Sequence, residues 1–142
     1  MQLTKEDLFS IGVPCLMPGF TIEQLPNEPI LLAAFQADWD TVRDTDVALA
    51  AVQQMLSAAH SPTFYIVDMT IEPCFNLDDL MFVTQRLIRG QNPILHHPNL
   101  REHLLVTRNA VMQRAVKALP GTVRAHAFDT LDEALAYVRS QA

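Results

Sequence analysis

Apolar and polar positions alternate over Phe20-Thr21-Ile22-Glu23, as in a strand with one buried face. Leu25-Pro26-Asn27-Glu28-Pro29 then turns the chain. Ile30 to Phe35 is a continuous apolar run, the signature of a strand covered on both faces. The short turn between these strands predicts an antiparallel pair. Val47, Leu49, Val52, Met55, Leu56 and Ala59 recur at helical spacing, and Ser61-Pro62 stops that helix. Phe64-Tyr65-Ile66-Val67 reads as the next strand and ends in Asp68. A second helix opens near Asn76, carries Leu77, Leu80, Met81, Thr84, Leu87 and Ile88 on one face, and ends at Gly90. Leu104 to Thr107 is a short strand, and a third helix spans Ala110 to Leu119 before Pro120-Gly121. Val123, Ala125 and Ala127 form a last strand with one solvated face. Thr130-Leu131-Asp132-Glu133 is a capping box opening a fourth helix.

The order β-β-α-β-α-β-α-β-α predicts an α/β fold, a mixed and mostly parallel sheet of about five strands with four helices. The first strand is its antiparallel edge, and the helices pack on one side. Residues 1–17, broken by Gly12 and Pro14, read as an irregular N-terminal segment. Residues 18–142 form a single domain, with no internal repeat.

Composition narrows the functional classes. A chain of 142 residues, 49% apolar and 18% charged, supports one sizeable core. The net charge of −6, with two lysines and no basic run, argues against a nucleic-acid partner. The first residues lack a basic and then apolar leader, and no apolar run reaches the length of a membrane span, so a cytoplasmic setting is expected. Cys15 and Cys74 show neither redox nor zinc spacing and read as reduced thiols.

Asn27-Glu28-Pro29-Ile30, Phe64 to Asp68 and Ala127-Phe128-Asp129-Thr130-Leu131-Asp132-Glu133-Ala134-Leu135 carry a resemblance to the STAS superfamily, the anti-sigma-factor-antagonist fold, and more narrowly to SpoIIAA-like proteins. It covers roughly residues 18–142. Regulatory members of that family carry a helix opening with Asp-Ser-Ser-Gly after a strand ending in Asp, and a serine there is phosphorylated. Aligned from Asp68, those positions hold Asn76, Leu77, Asp78 and Asp79, and Asp78 takes the place of the phosphoacceptor. No serine occurs between Ser61 and Ser140. The resemblance therefore implies an interaction module without the serine switch, in which Asp78 carries about half the charge of a phosphate.

Asp78 and Asp79 also suit a helix start on dipole grounds alone, by about 0.3–1 kcal/mol each. Asp68 reads either as a carboxylate capping the next loop or as part of an acidic pocket. The pocket of a receiver domain also needs an acidic pair after the first core strand and a lysine after the last. Asp38 and Asp40 are displaced from the strand end, and no lysine follows Ala127. His60, His96, His97, His103 and His126 match no metal-ligand spacing and read as solvated. No nucleophile elbow, phosphate loop or dinucleotide fingerprint occurs, and the four glycines are far apart. Neither metal nor cofactor is expected.

Trp39, in a polar loop where a tryptophan more often folds back onto the core, and Phe82 and Val83, off the main stripe of the second helix, form a candidate partner or dimer patch. The leading expectation is a non-catalytic regulatory or protein-interaction module, acting on a protein partner or on itself. Its interaction surface comprises Asp68, Asn76, Asp78 and Asp79. The alternatives are a domain holding a small apolar molecule or lipid between helices and sheet, and an enzyme with an unrecognised site.

Overall fold

The computed structural model describes residues 15–17, 19–36, 38–70, 77–89 and 93–141. Six strands lie side by side in chain order: β1 (Cys15–Met17), β2 (Phe20–Gln24), β3 (Ile30–Phe35), β4 (Thr63–Asp68), β5 (Leu100–Val106) and β6 (Ala125–Phe128). β1, β2 and β3 pair antiparallel, and β3 through β6 pair parallel. Helices α1 (Thr41–Ala58), α2 (Leu77–Ile88) and α3 (Ala110–Lys117) form the crossovers, and α4 (Leu131–Ser140) follows β6. A short 3-10 turn, Pro93–His96, precedes β5.

The α/β class and the mixed sheet agree with the sequence pattern. The sheet has one strand more than expected, because Cys15–Met17 falls in the segment read as irregular. Gly19, at φ +84°, lets the chain fold back so that Met17 pairs with Phe20. Gly19 marks a hairpin there.

The helices do not all pack on one side. Parallel strands that advance in one direction through right-handed connections keep their crossovers on a single face. That face buries Val52 and Leu56 of α1, Ile94 and Leu95 of the 3-10 turn, and Met112 and Val116 of α3 against Leu31, Ala33, Tyr65, Val67 and Leu105. α2 lies against α1 and α3. The opposite face is covered by α4, whose Ala134 and Val138 pack on Ile30, Phe64, Ile66, Leu104 and Val106. The unbroken apolar runs of β3 and β4 require such double coverage, since a one-sided sheet alternates.

α1 begins at Thr41, several residues before its apolar stripe. Its first turn buries two polar residues, Thr41 and Asp44. The Asp40 carboxylate accepts from the Arg43 amide at 2.9 Å, and Asp44 accepts from the Asp40 amide at 2.9 Å. These carboxylates satisfy amides that a helix start leaves without partners. Arg43 brackets the buried Asp44 carboxylate at 2.7 and 2.8 Å and holds it below the usual carboxylate range. A β-carbon at Gly19 would meet that carboxylate and approach Trp39 Cα to 3.0 Å, so the turn and the helix start are fitted to each other. β5 also starts early, at Leu100, where the pairing with β4 shifts register between Thr63 and Phe64. The shift sets Leu100 among the buried residues of the crossover-helix face, while the Arg101 guanidinium lies 4.8 Å from the centre of the Phe64 ring, a side chain of the α4 face.

Candidate functional site

Three parallel strands followed by helices bring the starts of α1, α2 and α3 to the carboxyl end of the sheet. In doubly wound sheets, ligands bind there at the point where strand order reverses. This sheet runs from β1 to β6 without a reversal, so it has no such crevice. What the end presents is a surface made of loops and first helical turns.

Asp68 closes β4. Its Oδ1 accepts from the Thr70 amide at 3.0 Å and the Thr70 hydroxyl at 2.6 Å, a local turn that orders the chain leaving the strand. Strand alternation puts Asp68 on the face of Phe64 and Ile66, where α4 packs. The crossover helices occupy the other face. Asp68 and the start of α2 therefore share an end of the molecule but not a face. Asp78 is exposed on the first turn of α2, and Asp79 is half-buried and engaged by neighbours. Asn76 lies outside the described residues.

Trp39 is a core residue and does not belong to a partner patch. It is 6% exposed, stacks on Phe35 at 4.2 Å and meets Phe20 edge-on at 6.0 Å. Its indole N–H donates to the Thr41 hydroxyl at 2.9 Å, which removes the cost of burying that donor. Phe82 is half-buried beneath the Arg86 guanidinium, 5.1 Å from the ring centre. The side chain of Val83 lies outside the described residues, as does Cys74. Among the described residues the exposed large apolar side chains are Val42 (73%), Val47 (47%), Met81 (50%) and Val111 (51%). Val42, Met81 and Val111 stand in the first two turns of α1, α2 and α3, at the same end as Asp78.

Two groups of titratable side chains were not apparent as groups in the sequence. On the α4 face, Glu102 Oε1 accepts from the Tyr137 hydroxyl at 2.9 Å and lies 3.2 Å from His126 Nε2. Burial and the Glu102 carboxylate push the Tyr137 hydroxyl above its ordinary range, so it serves as a donor and not as a base. Glu102 Oε2 is buried and has no hydrogen-bond partner among the described residues. These residues come from β5, β6 and α4, and no local spacing connects them. On the crossover-helix face, His103 is buried in β5 opposite Tyr65, with ring centres 4.9 Å apart. It is not a solvated loop residue. Its Nδ1 has no partner among the described residues, and burial pushes the imidazole down to about 4.

His97 is also engaged. Its Nδ1 accepts from the Asn99 amide at 3.0 Å, so the neutral ring carries its proton on Nε2 and donates to Ser57, 3.1 Å away. That proton placement is the reverse of what a histidine needs to activate a serine. The contact ties the end of α1 to the loop before β5, as does Asn99 Nδ2 donating to the Leu56 carbonyl at 2.8 Å. Among the described residues no cluster of three histidine, cysteine or carboxylate side chains could hold a metal ion, and no helix is long and apolar enough to cross a membrane.

No protein-family model, curated protein or solved structure matches the chain.

Proposed function

We propose that this chain is a non-catalytic protein-interaction module of STAS type that lacks the serine phosphoacceptor and uses the start of α2 as its working surface. The observation that carries the reading is the exposed Asp78 in the first turn of α2, with the half-exposed Met81 one turn further on. An acidic residue there favours the helix through its dipole. The half-exposed Met81 beside it offers an adaptable apolar contact. Asp78 supplies a permanent charge where the resembling proteins carry one that is added and removed.

The proton placement on His97 weighs against that ring activating Ser57. The test is affinity capture from native lysate with the full chain, comparing wild type, Asp78→Ser and Asp78→Lys. A binding protein retained by wild type and lost with Asp78→Lys is expected. A set of captured proteins indifferent to all three sequences would remove the reading.

A further inference from the structure

The charge and the apolar residues at the helix starts together describe the chemistry of the partner. Asp46 of α1 binds Arg86 of α2 at 3.0 Å. Val42 lies one turn before Asp46, and Phe82 one turn before Arg86. The Arg86 guanidinium also lies over the Phe82 ring, so Phe82 stands beside the ion pair and Val42 one turn beyond it, toward the start of α1. Val42, the exposed Met81 of α2 and Val111 in the first turn of α3, which packs against α2, make a row across three neighbouring helix starts.

The surroundings of this row are acidic. Asp38, Asp40 and Asp78 are exposed at the same end. Of the cations nearby, Arg43 is held by Asp44 and Arg86 by Asp46, which leaves the exposed Arg108. The opposite end of the molecule, at the helix C-termini and before β6, carries exposed Arg89, Arg114, Lys117 and Arg124. An acidic rim repels nucleic acid and anionic lipid. A second copy could offer its basic end, but the exposed large apolar side chains, among the described residues, all lie in the first halves of α1, α2 and α3. The basic end thus brings charge without an anchor for the row.

We infer that the Val42–Met81–Val111 row docks a protein segment that presents lysines or arginines around large apolar side chains. The inference rests on the interaction-module reading and adds the partner's chemistry. Charge complementarity of this kind sets specificity and encounter rate, while the apolar contact holds the complex.

The test uses methyl NMR of the full chain with three synthetic helical peptides: lysine with leucine, glutamate with leucine, and lysine with serine. The lysine–leucine peptide should shift the Val42, Met81 and Val111 methyls and leave the more enclosed Met55 unmoved. The lysine–serine peptide should bind at least roughly tenfold more weakly, and the glutamate–leucine peptide should cause no shift. Val42→Ser with Met81→Ser, both at exposed positions that tolerate substitution, should weaken the lysine–leucine peptide by about tenfold. Equal binding of the glutamate–leucine peptide, shifts confined to other methyls, or unchanged binding by the double variant would overturn the inference. Head-to-tail oligomers of the free protein that block the peptide would assign the row to a second copy and overturn it too. If no peptide binds while lysate capture still depends on Asp78, the partner chemistry falls and the module reading stands.

Discussion

Protonating His103 would put a positive charge between the sheet and the crossover helices, beside Tyr65 and with no partner for Nδ1 among the described residues. The folded protein therefore resists taking up that proton, and the imidazole is pushed down to about 4 from an ordinary 6.5. The unfolded chain binds the proton first as pH falls, so this residue's contribution is present above about pH 6.5 and is lost progressively toward pH 4. Linkage puts the loss at about 2 kcal/mol between pH 7 and pH 5 for this single group. Urea midpoints at the two pH values should show that drop in wild type and a much smaller one in His103→Leu. Equal drops in both proteins would mean that His103 is hydrated in the folded state. The position was readable as a histidine near a strand, but its burial was not. Burial follows from β5 beginning at Leu100, and the polar residues Arg101 and Glu102 hid that beginning.

At the level of elements, α4 covers one face of the sheet and so bears on the stability of the whole domain. Its start is the most legible piece of local structure in the sequence: the Thr130 hydroxyl accepts from the Glu133 amide at 3.2 Å, as the capping box predicts. Thr130→Ala should cost about 1 kcal/mol, and Thr130→Asp should retain most of the stability. Thermal melts of the three proteins check this, and an unchanged Thr130→Ala melt would show that packing of Ala134 and Val138 alone fixes the helix. The strands β3 and β4 were legible from their apolar runs, yet those same runs already implied a second covering layer. The start of α1 was not legible, because Thr41 and Asp44 are buried polar residues whose role depends on Trp39 and Gly19. Trp39 was legible only as a choice between core and interface, and Phe35 and Phe20 around it decide for the core. The Glu102–His126–Tyr137 group joins three elements, and only the sheet order brings them together.

Over the whole molecule, the sheet advances from β1 to β6 without turning back, and this one topological fact orders the rest. It gathers the three crossover helices on one face, leaves the other to α4, and brings three helix starts to one end. That end carries Asp38, Asp40 and Asp78 with exposed Val42, Met81 and Val111, while exposed Arg89, Arg114, Lys117 and Arg124 stand at the other. We propose that the acidic end, around the start of α2, meets a protein partner. A photo-crosslinking side chain is placed at the exposed position 85, one turn beyond Met81 on α2, and separately at position 117, in the full chain, and each protein is irradiated in native lysate. A discrete adduct from position 85 that fades at high salt is expected, and none of the same mass from position 117. Adducts of equal yield from both positions, or from position 117 alone, would show that the acidic end is not the partner surface.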